Sequence, residues 1–270
     1  MDLVTWNINS VRAREDRLVH WLDHFQPDVL CLQETKVVDE AFPRARCEAL
    51  GYHVSHYGQK AYNGVAILSR SEPEDVVCGF DDGQPEDEQS RLIGARIDGV
   101  RIVSAYFPNG GRMGSDKYAY KLGWMKRLRA MLDARFDPAA PLALCGDYNV
   151  APFPDDVANP DVYEGSVLAN DDVRGALADI ADFGLVDVFR PFHPRGHVWS
   201  WWDYRAGSFQ RDEGLRIDHV FCTAPLAERV IGASVDRPER EGTGASDHAP
   251  VRVRFAQRAP TSPLWPPQAP

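Results

Sequence analysis

The sequence predicts an α/β fold of mixed sheets with helices packed on their outside, and three observations carry that prediction. Short apolar runs of strand length dominate the chain. Segments with helical spacing of apolar residues interleave with them. Hairpin turns stand beside strand–helix–strand units, so antiparallel and parallel pairs are both required. No linker or short repeat divides the chain, and residues 1–255 read as one domain.

Leu3–Ile8 is the first strand, ending among Asn7 and Asn9. Ser10 is placed to cap a helix carrying Leu18, Leu22 and Phe25, which Pro27 closes. Asp28–Gln33 is the next strand, with Glu34 at its C-terminal end. A helix follows from Pro43 to Leu50, with Gly51 beyond its last turn. Strands are then expected over Tyr52–Tyr57, Asn63–Ser69 and Arg91–Ile97. Asp98-Gly99 is a hairpin turn into Val100–Phe107. Ser115 caps a long helix whose apolar stripe is Tyr118, Leu122, Met125, Leu128, Leu132 and Phe136. The apolar run Leu142–Cys145 is a buried strand that Gly146 ends. Asp147 and Asn149 follow, one residue apart and hence on one side of an extended chain, before Pro152 stops it. After a loop rich in Pro and Asp (153–170), Asp171 caps a helix with Val173, Leu177, Ile180 and Phe183, ended by Gly184. Val198–Trp202, Arg216–Cys222, Arg229–Val235 and the alternating Val251, Val253 and Phe255 complete the strands. The Pro-rich segment 256–270 reads as a flexible tail.

Composition narrows the function. Of 270 residues 44% are hydrophobic, with seven Trp and twelve Phe, enough for a sizeable core. Five scattered Cys lack metal-ligand spacing and fit a reducing compartment. With no leader and no long apolar run, a cytoplasmic protein off the membrane is expected. A net charge of −10 argues against non-specific coating of nucleic acid, although it permits a local basic surface. The acidic stretch Asp81–Glu88 reads as a solvated loop.

Polar residues recur where the apolar strands end: Asn7, Glu34, Tyr106, Asp147, Asn149, Asp218, Asp247 and His248. Each has an ordinary structural explanation, such as a turn residue, a surface acid or a half-buried aromatic. Asp218 is harder to explain so, because it lies inside a strand-like run, where a buried carboxylate needs a partner such as a His. A carboxylate plus a fixed amide at a strand end suits phosphoryl chemistry. A carboxylate-rich set without a Cys or His cluster suits a hard cation such as Mg²⁺.

These residues fall in seven motifs: Trp6-Asn-Ile-Asn9, Leu32-Gln-Glu-Thr-Lys36, Asn63-Gly-Val-Ala-Ile-Leu-Ser69, Tyr106-Phe-Pro-Asn-Gly110, Gly146-Asp-Tyr-Asn149, Gly214-Leu-Arg-Ile-Asp218 and Ser246-Asp-His248. In that order they resemble the exonuclease III family of abasic-site endonucleases, within the metal-dependent superfamily that includes deoxyribonuclease I. The resemblance covers Met1 to Phe255 and implies a four-layer α-β-β-α sandwich with its site at one edge of two packed sheets. It implies Glu34 as the principal Mg²⁺ ligand, helped by Asn7 and Asp247, with Asp147, Asn149 and His248 beside the metal and Mn²⁺ as a substitute. His248, oriented by Asp218, contacts the scissile phosphate or acts as base. Asp147 activates the water or protonates the leaving oxygen, Asn149 orients the nucleophile, and Tyr106 contacts phosphate. Asn109 and Arg112 resemble the family's phosphate loop, while Trp201, Leu215 and Ile217 match a pocket for a flipped-out sugar. Core packing is the alternative for the Trp cluster, and is expected for Trp202. Asn9 departs from the family, some members having Asp there.

The implied activity is incision of duplex DNA 5′ to abasic sites, leaving a 3′-hydroxyl, together with 3′-5′ exonuclease and 3′-end cleaning. The nearest alternative is a 3′-exonuclease or 3′-phosphatase with weak abasic incision. An inactive nucleic-acid-binding copy should have lost some of Glu34, Asp147, Asn149, Asp218 and His248, and all are present. The expected partner is duplex DNA with abasic or damaged 3′ ends, bound by a monomer without an obligate protein partner.

Overall fold

Alternation along the central strands decides the layering. A computed structural model describes residues 1–256, so the expected tail lies outside the described residues from 257 onward. Strand β1 (Asp2–Asn7) turns Leu3 to one face and Val4 and Trp6 to the other, and apolar residues on both faces force it to be covered on both. The chain continues through α1 (Glu15–Phe25), β2 (Val29–Gln33), α2 (Arg44–Glu48), β3 (His53–Tyr57) and β4 (Val65–Ser69). Then come β5 (Glu74–Cys78), β6 (Leu92–Ile97), β7 (Val100–Tyr106), α3 (Asp116–Arg135) and β8 (Leu142–Asp147). The short α4 (Pro160–Tyr163), α5 (Asp171–Ala181), β9 (Leu185–Asp187) and β10 (Asp218–Thr223) follow. Last are α6 (Ala224–Ala227), β11 (Val230–Val235) and β12 (Val251–Phe255).

Two six-stranded mixed sheets result, ordered β11-β12-β1-β2-β4-β3 and β5-β6-β7-β8-β10-β9. The parallel pairs are β1–β2 and β7–β8, which α1 and α3 connect as crossovers; the other pairs are antiparallel. Leu3, Cys31, Ile67, Ile102, Cys145 and Val220 meet between the sheets. Trp6, Leu18, Trp21, Leu22 and Leu68 form the outer core of the first sheet, and Leu128, Leu132, Leu144, Leu177 and Phe221 that of the second. The layers are therefore helix, sheet, sheet, helix, as expected. Among the described residues no helix is long and apolar enough to cross a membrane.

Three local expectations need correction. Val198–Trp202 is not a strand: its backbone makes isolated bridges from Trp201 to Leu215 and His248, and Trp199 and Trp202 fill a small separate core with Ala249. The cap of α5 is Asn170, whose side chain accepts from the Val173 amide, and Asp171 is the first helical residue. The acidic stretch is a solvated loop as expected, tied down at two points: Asp82 accepts from Arg127 Nε and Nη2 at 2.8 Å each and Asp87 from the Tyr120 hydroxyl at 2.7 Å. In α3 the buried stripe includes Lys121, Trp124 and Met131, while Leu122 is only half-buried.

Candidate active site

The same alternation that builds the core places polar residues at one end of the gap between the sheets. Asn7, Gln33, Tyr106 and Asp147 are the last residues of β1, β2, β7 and β8, and Asp218 is the first of β10. Register sets Asn7 opposite Gln33, and Asp147 opposite both Tyr106 and Asp218. Glu34 follows β2 directly. Asp247 and His248 precede β12, which runs antiparallel to β1 and so returns to the same end. Residues far apart in sequence meet because each lies at or near the end of an apolar strand.

The local backbone is made for this. Gly146 sits at φ +146°, and a Cβ there would lie 1.8 Å from the Ala105 carbonyl oxygen, so only glycine lets β8 approach β7. Asn149 turns into the left-handed region at φ 51°, and Glu34 does so at 52° although it is neither Gly nor Asn. The Glu34 carbonyl accepts from the Ser10 amide at 2.7 Å, which holds that bend.

A continuous network joins the side chains. His248 Nδ1 lies 2.8 Å from Asp218 Oδ2, and its Nε2 is 3.7 Å from Asp147 Oδ2. Asn7 donates from Nδ2 to Glu34 Oε1 and to Asp147 Oδ2, both at 2.9 Å. Asn149 donates from Nδ2 to the Phe107 carbonyl at 3.0 Å and to Asp147 Oδ2 at 3.3 Å. Ser200 Oγ donates to Asp218 Oδ2 at 2.7 Å and fixes that carboxylate from behind. Below the site, Gln33 links the sheets, accepting from Thr5 Oγ1 and donating to Ser104 Oγ. Arg91 lies 4.6 Å from the Tyr106 ring centre and donates to its carbonyl at 3.1 Å.

Burial and charge set the protonation states. Burial would lower the His248 pKa, but Asp218 and then Asp147 override it and raise the ring to about 10. Burial lifts Asp147 to about 7, with the His248 charge opposing. Burial also pushes the Tyr106 phenol well above its ordinary value, and Glu34 and Asp147 add to this. Asp247 stays below the ordinary carboxylate value: burial would raise it, but the His248 charge and hydrogen bonds from Trp201 and Asn9 outweigh that.

The donor set fits a hard divalent cation. One ligand atom each from Glu34, Asp147 and His248 falls within 4.8 Å of the others, and no Cys is among them. Of the three, His248 is committed to two carboxylates, which leaves oxygen donors. Lys36 Nζ lies 2.8 Å from Glu34 Oε2 and donates to Asn9 Oδ1 at 2.6 Å, so a positive charge already faces the Glu34 carboxylate. Asp247 is occupied otherwise, accepting from Asn9 Nδ2 at 2.8 Å and from Trp201 Nε1 at 3.0 Å.

The remaining predicted residues fall on the rim. Asn109 donates to Asn149 Oδ1 at 3.1 Å and its own Oδ1 caps the Gly111 amide, while Arg112 is exposed beside it. Trp201 is half-buried, with its ring 6.4 Å from that of His248 and edge-on to Tyr163 at 6.0 Å. Leu215 and Ile217 lie close by but are covered. Sequence reasoning assigned no role to Lys36, Gln33, Arg91 or Ser200. Lys36 and Gln33 stood within a quoted motif, whereas Arg91 and Ser200 carry no local signal.

Comparison with known proteins identifies the fold and the family. Residues 4–248 match the model of the endonuclease/exonuclease/phosphatase family. The exodeoxyribonuclease III of Haemophilus influenzae is 36% identical over 267 residues, covering 94% of this chain and 100% of that protein. An AP endonuclease from Archaeoglobus fulgidus superposes with a TM-score of 0.91 at 42% identity, covering 94% of this chain and 99% of the other. The 3′-5′ exonuclease NExo of Neisseria meningitidis superposes at 0.92 with 38% identity, over 95% of this chain and 100% of its own. The family match over most of the chain, the shared fold and the near-complete coverage of relatives lead to one conclusion: this chain belongs to the endonuclease/exonuclease/phosphatase family.

Proposed function

We propose that this protein is a Mg²⁺-dependent DNA-repair phosphodiesterase that incises duplex DNA 5′ to abasic sites and also trims 3′ ends. The observation that carries this reading is His248, held as a cation between Asp218 and Asp147 next to the carboxylate of Glu34. A protonated imidazole cannot accept a proton, so His248 serves as a charged donor to a phosphate oxygen rather than as base. Asp147, whose carboxyl pKa is raised by burial in the metal-free protein, stands 3.7 Å from the His248 ring and is placed to move a proton, from the attacking water or to the leaving 3′ oxygen. Asn149 fixes Asp147 and orients the water, and Tyr106 supplies a phenol O–H that stays protonated for the phosphate.

Glu34 and Asp147 would hold the cation, with Asn7 between them and Mn²⁺ as a substitute for Mg²⁺. When bound, the ion supplies neutralisation of phosphate charge and stabilisation of the departing oxygen. Asn109 and Arg112 are suited to the DNA backbone, Trp201 to the bare sugar of an abasic nucleotide. The protein is proposed to act as a cytoplasmic monomer.

A second reading, a 3′-exonuclease or 3′-phosphatase with weak abasic incision, draws on one feature. Leu215 and Ile217 are covered, so of the three residues expected to line the abasic-sugar pocket only Trp201 is accessible. A further structure of NExo, described as a 3′ phosphatase bound to a product DNA hairpin, is 37% identical with a TM-score of 0.90. One experiment separates them. A duplex with a single abasic analogue and a nicked duplex with a 3′-phosphate are incubated with the enzyme, each with and without chelator. Chelator-sensitive incision of the first supports the main reading; activity confined to the second supports the alternative. Activity on neither overturns both.

A further inference from the structure

Lys121 of α3 is fully buried and has no part in the chemistry above. Leu128 and Met131 show what the same face of that helix ordinarily carries. An ammonium is costly to bury, and an apolar chain of similar length would fill the space at less cost. The partners of Lys121 account for it. Its Nζ donates to the backbone carbonyls of Val167 at 2.6 Å, Asn149 at 2.7 Å and Asn109 at 3.3 Å. An ammonium has three N–H groups, one for each.

Those carbonyls belong to three segments distant in sequence. Asn109 is in the loop after β7 that also holds Arg112. Asn149 is two residues beyond Asp147. Val167 is in the 153–170 segment, whose Tyr163 stands against Trp201. The segments touch elsewhere too, through Asn109 Nδ2 to Asn149 Oδ1 at 3.1 Å and the Ala151 amide to the Leu168 carbonyl at 2.8 Å. Lys121 is the point where all three meet.

We propose that Lys121 is a positioning residue that clamps the phosphate-side loop, the Asp147–Asn149 turn and the 153–170 segment into one rigid unit. Holding the Asn149 carbonyl fixes its left-handed turn, and with it the amide that orients Asp147. Holding Val167 ties the segment beside Trp201 to the same frame. The kinetic part of the test rests on the nuclease reading; the exchange part does not.

The test uses the full chain with Lys121→Met and Lys121→Arg. Amide hydrogen exchange without metal should quicken about 10-fold or more in residues 107–112 and 163–169 of the Met variant, and stay unchanged in β1, β2 and the second half of α3. On the abasic duplex its kcat should fall about 100-fold with KM moved less than about 3-fold, since the loss is one of orientation. Lys121→Arg, which keeps the charge and its donors, should recover exchange protection and most of kcat. If the Met variant cannot be purified, Lys121→Gln replaces it under the same exchange criterion. Exchange that rises evenly over the molecule, or stays unchanged in the two loops, overturns the proposal, as does a kcat within about 3-fold of the parent. A parent without nuclease activity would overturn the functional reading alone, and exchange would still decide the clamp.

Discussion

Replacing Asp218 with Asn removes a negative charge 2.8 Å from His248 Nδ1 and keeps a side chain of the same shape. In the parent, burial works against the imidazolium, and Asp218 is the foremost of the charges that raise the ring from 6.5 to about 10. Because the folded value is the higher one, the resulting stability is fully present below pH 6.5 and is lost as pH rises through about 10. At pH 7.5 that shift corresponds to roughly 3 kcal/mol. Without Asp218, burial is opposed by Asp147 and Asp247 alone, so the ring pKa should fall and with it the charged fraction at working pH. The assay is an NMR titration of the histidine Cε1–H resonances in chelated protein, with His248→Ala to assign the signal. Incision at pH 7.5 should fall by about 10²–10⁴. The double variant Asp218→Asn/His248→Ala should be no slower than the worse single one, because the two residues act as a unit. A His248 signal that still titrates near 10, or fully additive rate losses, would refute the reasoning.

Three other perturbations test the remaining parts. Asp147 is a carboxylate with its folded pKa raised from 3.8 to about 7, so its ionisation destabilises the metal-free fold progressively between those values. Asp147→Asn should therefore abolish activity yet raise Tm in chelator at pH 8, with little gain at pH 4; a lowered Tm at pH 8 contradicts this. Glu34→Gln should keep the fold but lose most activity, with partial rescue at higher Mg²⁺, as hard cations prefer carboxylates to amides. An unchanged Mg²⁺ dependence of the rate would remove Glu34 from the metal site. Trp201→Ala should slow incision at an abasic analogue and raise the relative rate at base-bearing nucleotides, leaving Mg²⁺ affinity near the parent value. A Tm loss equivalent to about 3–5 kcal/mol with unchanged preference would instead make Trp201 a core residue.

The layering was legible because β1, β2, β7 and β8 are apolar on both faces and their last residues are polar. That change of character marks both the end of a strand and the edge of a buried gap. Asp98-Gly99 was legible for a similar reason: both residues have positive φ, which the turn requires. β5 was not, since nearly every residue in it is exposed and no alternation distinguishes it from a loop. The Trp-rich segment 198–202 misled, because aromatic density mimics a strand where each indole follows its own partner, Asp247 for Trp201 and Asp212 for Trp202. At the site, Glu34, Asp147 and His248 could be picked out by type and position. The Asp218–His248 pair could be anticipated too, but the hydrogen bond from Asn7 to Asp147 could not, because it joins residues across the two sheets. Lys121 was the hardest case, as a lysine in a helix reads as solvated until its neighbours are known.

The pairing of β12 with β1 has a consequence for synthesis. Ser246 reaches back over 239 positions to the Asn7 carbonyl, and His248 arrives beside it from the same late segment. A growing chain can emerge with Glu34, and later Asp147, and still lack the cation that faces them. Domains are completed as units while the ribosome adds about 5–20 residues per second. The site as proposed therefore closes only after His248 has been added and β12 has paired with β1. The order of strands along the chain thus sets the order in which the parts of the site can come together.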